Sequence, residues 1–165
     1  DVFRSSVRFP RIGNGPVRSY VVNYMWTPLL EHEDLESVLN DKGLAQIGDN
    51  LVNLCYSIAK SMVLNEAMGV KVRDSVLARA IRSTKVYDYM RGRCDVGCAG
   101  DAYESVMAWL WMKEKITIES IIQHLVPLLQ FDSTTSRKKE GEIAAIAFQS
   151  LLETHMKKLP QPRTS

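Results

Sequence analysis

Apolar residues recur at spacings of three and four through Leu44, Ile47, Leu51, Leu54, Cys55, Ile58 and Met62, which predicts one long amphipathic helix over residues 44–63. Gly69 punctuates the turn after it. A second helical pattern covers 72–83, with Asp74 as the expected cap, Val76, Leu77, Ala80 and Ile81 apolar, and Arg73, Arg79 and Arg82 polar. Residues 87–100 carry Gly92, Gly97 and Gly100 among charges and read as a loop. Gly100-Asp101 is then expected to open a third helix whose inward positions are Tyr103, Val106, Met107, Leu110 and Trp111. Thr117 caps a fourth, running through Ile118, Ile121, Ile122 and Leu125 to a stop near Pro127. Residues 133–139 read as a polar, basic connector. Residues 141–158 form the last helix, which Pro160 and Pro162 end before a polar tail. The first thirty residues differ: Pro10, Gly13, Gly15, Pro16 and Pro28 punctuate a loosely packed arm with one short extended segment. The fold class is therefore all-α, with an arm over 1–30 and one helical domain over 31–165; neither a parallel-sheet pattern nor a glycine-rich phosphate loop is present.

At 165 residues, with 45% apolar and 24% charged residues, the chain has ordinary globular composition and no run long enough for a membrane helix. Val2-Phe3 runs at once into Arg4 and Arg8, which is not a signal-peptide pattern. Three cysteines, an odd number, argue against a disulfide framework and for a reducing, cytoplasmic setting. Cys94 and Cys98 are read as free thiols near a helix start; zinc would need a second Cys or His pair nearby, and His32, His124 and His155 are scattered. The net charge of +2 conceals blocks: residues 31–70 hold seven acids against two lysines, and 71–100 hold seven bases against three acids. The acidic block suits cations and the basic block suits phosphates.

Two places put carboxylates where helix formation alone would not ask for them. Asp49 follows Gly48 inside the long helix, and a glycine there costs about 1 kcal/mol relative to alanine. Gly48 would let another helix approach closely, with Asp49 presented at the crossing. In the run Asp101-Ala102-Tyr103-Glu104, the two acids at i and i+3 share a face. Asp49, Asp101 and Glu104 together make an all-oxygen site of the kind that suits Mg²⁺ or Mn²⁺.

The segment Gly43-Leu44-Ala45-Gln46-Ile47-Gly48-Asp49-Asn50-Leu51-Val52-Asn53-Leu54 resembles the signature helix of the ribonuclease III family, N-E-R-L-E-F-L-G-D-A-x-L. Gly100-Asp101-Ala102-Tyr103-Glu104-Ser105-Val106-Met107-Ala108 resembles the family's second motif, L-A-D-A-F-E-A-L-I-G-A. Order and spacing also fit, and the short length looks most like archaeal ribonuclease III-like proteins and bacterial Mini-III enzymes, which lack a double-stranded-RNA-binding domain. The resemblance implies that Asp49, Asp101 and Glu104 are catalytic and metal-ligating. Two family acids are replaced: the first glutamate of N-E-R falls on Lys42, and that of L-E-F on Ala45. Mini-III enzymes also lack the latter. Glu36 and Asp41 are out of register with both.

The resemblance further implies a Mg²⁺- or Mn²⁺-dependent endoribonuclease acting on double-stranded or structured RNA, working as a two-fold homodimer. Arg73, Arg79, Arg82, Arg91 and Arg93 are the candidate phosphate contacts, since duplex RNA is read mainly through phosphates and 2′-hydroxyls. Arg137-Lys138-Lys139 could serve equally. The consecutive apolar residues 108–112 exceed one core-facing stripe and suggest a dimer seam around Trp109, Trp111 and Met112, with the signature helix contributing. The rival reading is a non-catalytic ribonuclease III-fold protein that binds RNA or a ribonucleoprotein such as a ribosome precursor.

Overall fold

The structure, a computed structural model, describes residues 25–164. Six α-helices appear in it: α1 (Leu35–Leu39), α2 (Lys42–Leu64), α3 (Asp74–Arg82), α4 (Val96–Met112), α5 (Ile118–Leu125) and α6 (Arg137–His155). Short 3₁₀ turns occupy Thr27–Leu30, Lys85–Tyr89, Val126–Leu128 and Met156–Lys158, and no strand occurs among the described residues. The all-α expectation therefore holds.

α4 is the central helix. It packs against α1, α2 and α3, while α3 also meets α6 and α2 meets α5. Residues 102–110 of α4 are all buried, so it is covered on every side, as a helix apolar all round must be. Tyr103 is fully buried; its hydroxyl donates to the Phe148 carbonyl at 2.6 Å, and its ring meets Phe148 edge-on at 5.7 Å. That bond ties α4 to α6 through the core.

Several boundaries move. α4 begins at Val96, because Asp95 caps it by accepting from the Cys98 amide at 2.8 Å. Gly100 and Asp101 thus lie in the second turn and do not open the helix. The supposed loop at 87–100 is half helical. The same cap brings Cys94 and Cys98 together across the helix start, with Cα atoms 5.3 Å apart, and they form a disulfide. This corrects the reading of two free thiols; Cys55 is the free cysteine among the described residues, and it is buried. Asp74 is the first helical residue of α3, and Arg73 takes the cap position without a side-chain bond. Arg137, Lys138 and Lys139 form the first turn of α6, capped by Ser136, instead of a connector.

The two ends of the domain are less loose than their composition suggests. Residues 1–24 of the arm lie outside the described residues. Of the rest, Leu30 is buried, and Trp26 donates its indole N–H to the Met112 carbonyl at 2.9 Å and packs on Trp111. After α6 the chain folds back onto α1. Arg163 donates from its side chain to Asp34 at 2.6 Å and from its backbone to Glu36 at 2.8 Å.

An extended segment between α2 and α3 lies along α2. The amides of Met68, Val70 and Val72 donate to Ser61, Ser57 and Asn53 side chains at 2.9, 2.9 and 2.8 Å. This row of bonds fixes where α3 starts relative to α2.

Candidate functional site

The site forms where α2 crosses α4. A Cβ added at Gly48 would lie 1.9 Å from the Glu104 carbonyl oxygen, so the two backbones are in direct contact there. Only glycine permits that approach, and Asp49 is the next residue. A second close approach stands beside it. A Cβ at Gly100 would lie 3.4 Å from Asp74 Cβ, which brings the start of α3 against the second turn of α4.

Glu104 is the buried member, 5% exposed. Burial pushes its carboxyl up to about 8, and the charges of Asp49, Asp101 and Asp74 push the same way. A hydrogen bond shared with Asp49 favours the protonated form as well. The three predicted acids, Asp49, Asp101 and Glu104, therefore come together in one electrostatic neighbourhood. Asp74 joins them as a fourth; its sequence context reads as an ordinary helix start, and only the packing of Gly100 brings it in.

Two further residues shape the site. Asn53, one turn beyond Asp49, donates to the Asp49 carboxylate at 2.9 Å while its carbonyl oxygen accepts from Val72 N–H. It links the first acid to the chain leading into Asp74. The i, i+4 spacing of Asp49 and Asn53 was the available signal. Lys42, on the first turn of α2, donates to Asp101 at 2.9 Å across the crossing. Ala45 is buried at 4% exposure, so the replaced family acid leaves a packed methyl and not a gap. Glu36 and Asp41 are engaged elsewhere: Glu36 holds Arg163, and Asp41 caps α2 and pairs with His32.

Among the described residues, no three His, Cys, Asp or Glu side chains form a group that could hold a metal ion as they stand. The chemistry of the donors nevertheless fits a hydrated Mg²⁺, which keeps several waters and needs only one or two direct carboxylates. Glu104 gives the specific reason. Nearly buried and facing three aspartates, it has no N–H donor among the described residues, so it needs a proton or a cation.

The five predicted arginines are exposed but divide between the ends of α3. Arg73 reaches α6, donating to the Arg137 carbonyl at 3.1 Å. Arg82 donates to the Cys94 carbonyl at 3.0 Å and lies 5.8 Å over Tyr87, near the loop of Arg91 and Arg93. The predicted seam is corrected at Trp109 and Met112. Trp109 and Met112 are buried within the chain, and Trp26 stacks on Trp111, so the surplus of 108–112 is absorbed internally. The signature helix, the other part of that expected seam, does keep exposed apolar residues: on α2, Leu54, Ile58 and Met62 are 47%, 37% and 59% exposed on one helical stripe.

The fold is an all-helical domain whose central helix crossing gathers carboxylates. A family profile described as Ribonuclease III matches residues 42–161. The chain belongs to the ribonuclease III family. No curated protein matches it. No helix among the described residues is long and apolar enough to cross a membrane.

Proposed function

We propose that the protein is a divalent-metal-dependent endoribonuclease that hydrolyses phosphodiester bonds in double-stranded or structured RNA. The observation that carries this reading is the Gly48 crossing, which sets Asp49 and Glu104 beside Asp101 in a ribonuclease III family domain. Asp49, Asp101 and Glu104 would hold Mg²⁺ or Mn²⁺. When bound, the ion supplies an activated water and offsets the charge that develops on the phosphate. The protein's own part is orientation. Asn53 fixes the Asp49 carboxylate, the backbone contact at Gly48 fixes Glu104 against it, and buried neighbours keep Glu104 away from bulk water. Arg79, Arg82, Arg91 and Arg93, with Arg73, would contact phosphates without reading sequence.

Incubation of purified protein with duplex RNA and Mg²⁺ or Mn²⁺ tests the reading. Metal-dependent fragments with 5′-phosphate and 3′-hydroxyl ends, absent with EDTA, are expected. Binding without cleavage in either metal would sink it.

One observation favours the non-catalytic alternative. Lys42 holds Asp101 with an ammonium where the family carries an acid. Both partners are substantially exposed, at 69% and 43%, so the pair is weak in water. Lys42→Ala is expected to change stability by less than about 1 kcal/mol. It should also raise Mn²⁺ affinity, read by water-proton relaxation. If Mn²⁺ binds neither protein, the alternative gains.

We also propose a homodimer seated on the α2 stripe. Ile58→Glu should convert a species of twice the chain mass in sedimentation at micromolar protein to a single-chain mass. A stable seam should bury more than about 1,200 Å² in total. Wild-type protein that sediments as one chain removes this seam.

A further inference from the structure

We propose that the cleft between α2, α3 and α6 is a phosphate-binding site. It has a volume of about 320 Å³ and is walled by Lys60, Lys71, Arg73 and Arg137, with Glu140 as its one carboxylate. Glu140 is already engaged: it pairs with Lys60 and accepts from the Tyr56 hydroxyl at 3.2 Å. Among the described residues, no carboxylate lies within ion-pair distance of Lys71, Arg73 or Arg137. Three cations therefore share one concavity without a counter-charge, an arrangement that repels itself until an anion enters.

The geometry is built for one guanidinium in particular. Arg73 donates to the neutral Arg137 carbonyl, which aims the group without neutralising it. It lies across Gly141, where a Cβ would come 2.4 Å from Arg73 Nη2. Two guanidinium forks and an ammonium match the oxygens of a phosphate better than a lone carboxylate. The volume admits a phosphoryl group or a mononucleotide. The first turn of α6 borders the cleft and adds the positive end of its dipole.

The cleft adjoins the acidic crossing. Arg73 and Asp74 are consecutive, the first lining the cleft and the second packed against Gly100. A phosphate chain held by the cleft would thus pass directly beside the carboxylates. The ligand chemistry is the phosphate oxyanion, supplied either by an RNA backbone or by a free phosphomonoester. The RNA source rests on the proposed function; the anion chemistry does not.

The test uses the full chain in EDTA, titrated with inorganic phosphate, with AMP and with fluorescent duplex RNA over a salt series. The double variant Lys71→Ala/Arg137→Ala removes charge, and Gly141→Ala displaces Arg73 while keeping every charge and favouring the helix. Circular dichroism checks that both retain the fold. Either variant should weaken binding about tenfold, and the double variant should flatten the salt slope by about one phosphate contact or more. Loss of phosphate and AMP binding identifies a free phosphomonoester. Loss confined to duplex identifies the RNA backbone. Equal binding by wild type and both variants in all three titrations, or no binding by wild type to any of them, overturns the cleft. Cleavage by wild type with unchanged binding of phosphate, AMP and duplex in the variants overturns the cleft alone. Cleft-dependent phosphate binding without any cleavage by wild type overturns the proposed function alone.

Discussion

Glu104→Gln is expected to abolish the proposed metal-dependent cleavage of duplex RNA and to make the metal-free protein more stable at alkaline pH. The first effect follows because a neutral amide cannot contribute charge to a divalent ion. The second follows from the surroundings of Glu104, which faces Asp49 from α2, Asp74 from α3 and Asp101 on its own helix, with Lys42 beyond Asp101. Its carboxyl titrates near 4.5 when unfolded and is raised to about 8 in the fold. Between those values the native state holds a proton that the unfolded chain has lost. Stability is therefore full below the lower value and falls as pH rises through the upper one. The whole decline is worth on the order of a few kcal/mol. Denaturation of metal-free protein across pH 4–9 should show this decline in wild type and a flatter profile in Glu104→Gln. Parallel profiles would mean that Glu104 is not held neutral by its neighbours.

Gly48→Ala should destabilise the fold by more than about 3 kcal/mol, while Gly100→Ala stays within about 1 kcal/mol of wild type. Helix propensity alone predicts the same gain of about 1 kcal/mol for both, so the contrast isolates packing. At Gly48 the added methyl would meet the Glu104 backbone, which cannot yield without parting α2 from α4. At Gly100 it would rest against Asp74 at ordinary contact distance. Urea titrations of the two variants decide the matter. Equal stability would show that the helices do not cross at Gly48. A surviving Gly48→Ala protein should also cleave poorly, since Asp49 and Glu104 would have moved apart.

The sequence was most readable where a residue paid a visible local cost. Gly48 and Asp49 are poor helix formers inside a strongly periodic helix, and that conflict pointed to a close crossing which the fold contains. Asp74 was unreadable for the opposite reason. An aspartate at a helix start has a sufficient local explanation, and its place beside Glu104 depends on Gly100, twenty-six positions further on. The early start of α4 was hidden because Gly97 and Gly100 imitate a loop, whereas Asp95 supplies a good cap. The apolar run at 108–112 could not reveal that Trp26, distant in sequence, would cover Trp111. Ala45 and Lys42 were legible as departures from the family pattern. The pairing of Lys42 with Asp101 needed the two helices to be placed.

The bonds between α2 and the segment at Met68 to Val72 have a metrical consequence. Two residues of extended chain advance about 6.6 Å, and four residues of helix advance about 6.0 Å. The two repeats are nearly commensurate, so alternate amides of the segment meet every fourth side chain of the helix, at Ser61, Ser57 and Asn53. Hydrogen exchange should read this as an alternation, with the amides of Met68, Val70 and Val72 slow and those of Gly69 and Lys71 fast. One residue inserted between Val70 and Val72 would put the chain out of phase with the helix, leaving Asn53 without its amide. A two-residue insertion would restore the phase. Parity decides whether Asn53 finds an amide, and length decides whether Asp74 stays in step with Asp49, since two added residues would carry it about 6.6 Å further along α2.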